Sequence, residues 1–298
     1  MTIPNQIHFS FVAQLSPALK AESVVAMAVY HGDRADWVSH AIDSILDQSY
    51  SDFIFFIAID GDICHDLMST LNFYAQADER IILTKSSVNL GLSTCINYIV
   101  DIASQISPQF FFRMDADDVS CPNRLQKQVD YLRKNPMVSV LGSSLTEIDE
   151  NDVVVGHRKL PETHQEIVEM LPKRCPINHP TVVFRFDVFR RGFRYQDSLR
   201  NTQDYFMWID LVKSDLQFAN LPEELLQFRR VNDFYKRRGF SKSINEFRAR
   251  FYAMKTLRQR NIPNLGYAGA VFFLRLLPSR LVKLAYRLDR YLLAKRAV

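Results

Sequence analysis

Residues 109–125 read QFFFRMDADDVSCPNRL. Bulky side chains from Phe110 to Met114 run directly into Asp115, Asp117 and Asp118. Pro122 follows, a residue suited to the first turn of a helix. The stretch therefore predicts a buried strand, an acidic loop at its carboxyl end, and a helix. In an open α/β sheet, that edge is where ligands bind. Crowded carboxylates repel one another and cost stability unless a cation binds them. Oxygen ligands favour Mg²⁺ or Mn²⁺, which keep open positions for phosphate oxygens. On spacing alone, a cation–diphosphate site and a solvated turn with helix-capping aspartates fit equally well. A calcium EF-hand does not fit, because its later ligands and turn glycine are missing.

Upstream, short apolar runs alternate with helix-period segments. SVVAMAVY (23–30), DFIFFIAID (52–60) and RIILTK (80–85) predict buried strands, with the 109–115 segment as a fourth. Helices are predicted over 35–48, 63–77 and 92–106; the first places Trp37, Val38, Ala41, Ile42, Ile45 and Leu46 on one face. Such alternation implies right-handed βαβ units and a mostly parallel sheet. Downstream the pattern loosens. MVSVLGS (137–143), TVVFRF (181–186) and LLQFRRV (225–231) predict strands, QDYFMWIDLVKS (203–214) a helix, and residues beyond Ser241 read as helical to the end.

The 298 residues are 47% hydrophobic and 23% charged, enough for one large domain and against wholesale disorder. Cys64, Cys95, Cys121 and Cys175 are far apart without a CxxC pair, the usage of free thiols in a reducing compartment. The first twenty residues lack the basic start and apolar core of a secretion signal, and no run reaches the ~18 apolar residues of a membrane span. Net charge is +4, but residues 229–298 hold 18 Lys or Arg against 3 Asp or Glu. The remaining 228 residues hold 19 against 30. An acidic body with a basic tail points to an anionic partner for the tail.

Several ordered motifs across residues 23–240 together resemble the family 2 glycosyltransferases of GT-A fold. AVYHGDRADWVSHAIDSILDQSYSDF is similar to that family's opening strand, loop and helix, with Tyr30-His31 in place of the usual Tyr-Asn. IAIDGD carries the second-strand acid at Asp60; NLGLSTCINYIV carries Asn89, Gly91 and Asn97. RMDADDVSCPNRLQKQ resembles the metal motif and following Pro-x-Arg helix, and NTQDYFMWIDL resembles the Glu-Asp-Tyr segment, with Gln203 in the Glu position. HPTVVFR and RVNDFYKRRG suggest the branch that builds bacterial O-antigen or exopolysaccharide.

The resemblance implies an N-terminal extension (1–22), a GT-A catalytic domain (23–240) and a basic helical tail (241–298). It implies that Asp60 binds the nucleotide base, that Asn89 and Gly91 shape the donor loop, and that Asp117 holds Mn²⁺ or Mg²⁺. Asp115 would bind ribose or the metal, with Arg113 and Arg124 offsetting charge, although a surface salt bridge suits Arg124 as well. Asp118 would tune the site or cap the helix. Asp204, at a helix start that favours an ionised carboxylate, would be the catalytic base for an acceptor hydroxyl. His179 would lie near the acceptor side or pack structurally. The histidines end at His179, so Asn232 or Asp233 would replace a tail ligand found in some relatives, and Arg230, Arg237 or Arg238 would neutralise diphosphate.

The expected reaction is an inverting transfer from a UDP-sugar to a lipid-diphosphate-linked saccharide. The place would be the cytoplasmic face of a bacterial membrane. In residues 278–298, Leu281, Leu284, Leu288 and Leu292 share one helical face, with Lys283, Arg287 and Arg290 on another. That suits docking on an anionic membrane surface or packing on the domain. No base-reading module accompanies the charge, which argues against nucleic acid. Two other classes bear comparison: a nucleotidyltransferase, for which YHGDRADW lacks the glycine- and lysine-rich phosphate loop, and a non-catalytic relative serving as an assembly partner.

Overall fold

The computed structural model describes residues 9–12, 20–199, 202–231 and 240–276. The first half alternates strand and helix: β1 (Phe9–Phe11), β2 (Ser23–Tyr30), α1 (Ala35–Leu46), β3 (Phe53–Asp60), α2 (His65–Ala77), β4 (Ile81–Ser86), α3 (Leu92–Ile106) and β5 (Phe110–Arg113). The second half holds β6 (Val119–Ser120), α4 (Arg124–Lys134), β7 (Val138–Ile148), β8 (Val154–Arg158), α5 (His164–Met170), a 3₁₀ turn (His179–Thr181), β9 (Val183–Arg185) and α6 (Asp187–Arg190). It continues with α7 (Gln203–Lys213), β10 (Gln217–Arg229), α8 (Phe240–Thr256) and α9 (Ile262–Leu276).

Among the described residues the strands form one sheet in the order β1-β4-β3-β2-β5-β9-β7-β10-β6, with β8 paired to β7. The β4-β3-β2-β5 block is parallel, as is β7 with β10. Antiparallel β9 joins the two blocks. Residue alternation splits the core. Val25, Met27 and Val29 of β2 and Phe55, Ile57 and Ile59 of β3 pack with α1, α2 and α4. Val24 and Ala26, with Ile54, Phe56 and Ala58, pack against α3 and α7. Burial on both faces explains why these strands read as unbroken apolar runs.

Three features differ from the sequence expectation. β1, within the 1–22 extension, pairs with β4 and so joins the sheet. β10 begins at Gln217, eight residues before the predicted 225, and accommodates Pro222 through register shifts around Leu221–Gln227; bulges are where a strand tolerates proline. β7 runs on to Ile148 through buried Ser143, Ser144 and Glu147; Asn178 donates to the Ser143 carbonyl and Arg158 to the Glu147 carboxylate.

Helix α8 is docked on the domain. Ala249, Ala253 and Met254 are buried, Arg250 donates to the Lys173 carbonyl at 2.7 Å, and Tyr252 donates to Asp210 at 2.6 Å. Helix α9 packs on α8 through Phe272 against Phe247, ring centroids 5.0 Å apart. Among the described residues no helix is long and apolar enough to cross a membrane. The amphipathic segment 278–298 lies outside the described residues.

Candidate active site

β5 delivers Arg113 and the acidic loop to the carboxyl edge of the sheet. Arg113 is fully buried, yet each of its nitrogens has a partner. Nη1 donates to the carbonyls of Ala26 (3.2 Å) and Met114 (2.7 Å), Nη2 to the Asp115 carboxylate, and Nε to His179 Nε2 at 3.4 Å. A buried cation thus sits directly on the first acid of the loop. Asp115 and Asp117 are half-buried at the edge. Asp118 points inward and is fully buried; Oδ1 accepts the backbone N–H of Arg229 at 2.9 Å. Burial, then the charges of Asp117 and Asp115, push its carboxyl well above the usual range. Asp118 does not cap α4, whose N-cap is Asn123.

Arg124 forms no surface salt bridge. It is fully buried and donates to the carbonyls of Pro180 (3.1 Å) and Arg113 (3.0 Å); desolvation pulls its pKa down to about 10. It braces the loop from behind rather than meeting the acids at the surface.

Two residues of this loop's surroundings escaped the sequence reading. Arg229, at the end of β10, donates Nε to the Asp117 carbonyl (2.9 Å) and Nη1 to the Asp149 carbonyl (3.1 Å). It also pairs with Asp152 at 2.6 Å and lies 5.0 Å over the Trp37 ring. It bolts the acidic loop to the β7–β8 turn. Its neighbour Arg230, named from the sequence, instead pairs at 2.8 Å with buried Glu147, which Arg158 also contacts at 2.7 Å. Adjacent strand residues point to opposite faces, so only one of the two arginines can reach the loop. The readable signal was an arginine at the ligand edge of the last strand. Asp33, in the loop after β2, accepts the Tyr30 N–H at 2.9 Å. Burial raises its pKa to about 7, with Asp117 and Asp115 adding to the rise. Its signal was likewise position, at the carboxyl end of the first central strand.

Asp60, Asn89 and Gly91 come together one strand further along. The Asp60 carboxylate accepts the N–H groups of Leu90 (2.6 Å) and Gly91 (2.9 Å), and Asn89 Nδ2 donates to the Asp60 carbonyl at 3.4 Å. Gly61 and Gly91 have φ of 81° and 89°, which suits glycine. At Gly61 a Cβ would lie 2.8 Å from the Asn89 nitrogen. Asp60 therefore fixes the loop entering α3, and burial with its nearby charge pushes the Cys95 thiol up.

Asp204 occupies the first turn of α7 and is half-buried. Its charge contributes to the raised pKa of Tyr195, after burial, as does that of Asp115, so both carboxylates lie within electrostatic reach of Tyr195. Tyr195 is held by Asn97, which accepts its N–H at 2.9 Å and donates to its carbonyl at 2.8 Å. The Tyr195 hydroxyl lies 2.8 Å from His179 Nε2. Asn232, Asp233, Arg237 and Arg238 lie outside the described residues. A separate cleft of about 410 Å³ opens beside β6, lined by His40, Asp43, Asp47, Cys121 and Asp152 among others. Three carboxylates suit it poorly to a diphosphate.

Among the described residues no three His, Cys, Asp or Glu side chains converge as a metal cage. Mg²⁺-type sites use one or two carboxylates and complete the shell with substrate phosphates and water. The hard oxygens of Asp115 and Asp117 fit that donor set.

A parallel-centred sheet with acids at its carboxyl edge has the ligand-binding layout of an open α/β enzyme. Residues 24–193 match the family model for glycosyl transferase family 2, and the chain belongs to that family: it is a glycosyltransferase. The O-antigen biosynthesis glycosyltransferase WbnJ of Escherichia coli is 33% identical over 69% of this chain and 78% of its own. An E. coli UDP-Gal:α-D-GlcNAc-diphosphoundecaprenol β-1,3-galactosyltransferase is 26% identical over 76% and 82%. Among solved structures, S. aureus TarS 1-349 in complex with UDP-GlcNAc superposes with a TM-score of 0.63 at 12% identity over 85% of this chain and 72% of that one. A Pyrobaculum calidifontis mannosyltransferase with GDP-Man and Mn²⁺ gives 0.55 at 14% over 95% and 84%. Both neighbours share the GT-A fold.

Proposed function

We propose that the protein transfers a sugar, with inversion, from a UDP-sugar to a hydroxyl of a lipid-diphosphate-linked saccharide in the assembly of a bacterial surface polysaccharide. The observation that carries this reading is the acidic loop at the carboxyl edge of the sheet, held in place by three buried arginines. Asp115 and Asp117 lie on a loop pinned by Arg113, Arg124 and Arg229, and Asp204, in the first turn of α7, lies within electrostatic reach of Tyr195 as Asp115 does. The donor and acceptor are supported by the relative that acts on diphosphoundecaprenol-linked GlcNAc and by the neighbour that binds UDP-GlcNAc.

Asp117, with Asp115, would hold Mn²⁺ or Mg²⁺. Such a cation supplies charge stabilisation to a departing diphosphate. Asp60 braces the loop on which Asn89 and Gly91 would meet the donor. Asp204 accepts the acceptor hydroxyl proton as its oxygen attacks the anomeric carbon, opposite the leaving group. A single displacement inverts configuration and needs no second catalytic carboxylate of the glycosidase kind. The basic tail would dock on anionic headgroups at the cytoplasmic leaflet, where a lipid-linked acceptor resides.

The test is a panel of nucleotide sugars with Mn²⁺ and a lipid-diphosphate saccharide. Release of nucleoside diphosphate is expected, lost in Asp117→Ala and Asp204→Asn. Pyrophosphate release would identify nucleotidyl transfer and overturn the reading.

A further inference from the structure

We propose that His179 is a positioning residue for the transfer reaction, acting as a neutral hydrogen-bond acceptor that sets the cation loop against the Asp204 side of the site. This role rests on the glycosyl-transfer reading. Two donors meet at one atom, His179 Nε2: Arg113 Nε at 3.4 Å and the Tyr195 hydroxyl at 2.8 Å. An imidazole nitrogen that accepts carries no proton, so the ring proton belongs on Nδ1. Burial, then the charge of Arg113, hold the ring's pKa well below its usual value, in keeping with the acceptor role. The aromatic rings of Trp208 (6.0 Å) and Tyr195 (5.4 Å) stand edge-on to it and fix its plane.

The consequences run in both directions from this nitrogen. On one side, Arg113 has no rotational freedom left. Its other nitrogens are on Ala26, Met114 and Asp115, so the His179 bond completes the orientation of the guanidinium that holds Asp115. On the other side, Tyr195 is anchored to α3 through Asn97, which also donates to Asp197 at 3.0 Å. His179 itself sits on a 3₁₀ turn whose next residue, Pro180, offers its carbonyl to Arg124, the second brace of the acidic loop. The chain Asp115–Arg113–His179–Tyr195–Asn97 thus crosses from the sheet edge to α3. Among the described residues it links the cation loop to the stretch around Tyr195 and to α3.

The experiment measures kcat and KM for the nucleotide sugar in the full-length protein and in three substitutions. His179→Phe removes the acceptor, Tyr195→Phe removes one donor, and His179→Gln returns an oxygen near the position of Nε2. Loss of about tenfold in kcat is expected for each phenylalanine substitution, with KM within about threefold, because a buried donor or its partner is left unpaired. His179→Gln is expected to regain most of the loss. The double phenylalanine variant is expected to be no worse than the poorer single one, since both break the same link. Additive losses, or a glutamine variant as poor as phenylalanine, would overturn the role. Tyr195→Phe, which deletes a single oxygen, serves if His179→Phe does not fold. Absence of turnover by the unaltered protein on every nucleotide sugar would refute the transfer reading and this role with it. Normal turnover with additive losses refutes the role alone.

Discussion

Replacing Asp33 by Asn is expected to stabilise the protein in a pH-dependent way. The side chain lies half-buried in the loop after β2, and its pKa rises from 3.8 to about 7. Burial is the first cause, opposed by the Tyr30 N–H and reinforced by Asp117 and Asp115. In the unfolded chain the carboxyl ionises near its ordinary value, so the fold holds this proton more tightly. The stability so gained is complete below pH 3.8 and lost as the pH rises through about 7. A rise of about three pKa units corresponds to about 4 kcal/mol. Partial solvent access at this loop reduces this to about 1–3 kcal/mol. Asn keeps an acceptor for the Tyr30 N–H and carries no charge. At pH 8 without divalent cation, Asp33→Asn should therefore melt about 2–10 °C above the parent. At pH 5, only about one unit above the pKa of the unfolded carboxyl, the gain should fall to about a third. Thermal unfolding followed by circular dichroism at the two pH values measures both. Equal melting at pH 8, or a gain independent of pH, would refute the argument that the fold holds the Asp33 proton more tightly than the unfolded chain does.

Arg229→Met leaves the Asp117 and Asp149 carbonyls and Asp152 without their buried partner, and should cost about 2–4 kcal/mol in denaturant unfolding while weakening Mn²⁺-dependent UDP binding several-fold. Asp204→Asn should lower kcat by about 100-fold or more and leave calorimetric UDP affinity unchanged; undiminished turnover would reject Asp204 as base. Gly91→Ala meets open space but a φ of 89°, so a loss of about 1–2 kcal/mol from backbone strain is expected, read in the melting temperature. Iodoacetamide at pH 8 should label exposed Cys64 and spare buried Cys95 until the protein unfolds, as mass spectrometry of the peptides would show.

The elements of the first half were legible because each carries its own period. β2 and α3 fall at 23–30 and 92–106, as the apolar pattern predicts. Elements that depend on partners elsewhere were not legible. β8 exposes Val154 and Val155 and is a strand only because β7 lies beside it. β6 is two residues long and is defined by β10. At the site, the acids announced themselves by crowding at a strand end. Arg113, their neighbour in sequence, was legible as a counter-charge and does pair with Asp115; the other braces were not, because their contacts are non-local: Arg124 meets Pro180, and Arg229 meets a loop 112 residues earlier. Asp33 was hidden for the same reason, since its neighbours Asp115 and Asp117 belong to another loop. Family resemblance placed Asp60 with the nucleotide base, whereas its carboxylate is seen gripping the Leu90–Gly91 backbone. The two roles are compatible, as each carboxylate oxygen can accept a second hydrogen bond.

The transfer reaction proposed for this protein requires a divalent cation at the acidic edge. Anomalous diffraction from a crystal grown with Mn²⁺ and UDP tests that directly. A manganese peak bound by Asp117, with Asp115 beside it and diphosphate oxygens completing its shell, is the predicted result. Manganese and nucleotide found elsewhere, with both aspartates bare, would contradict it.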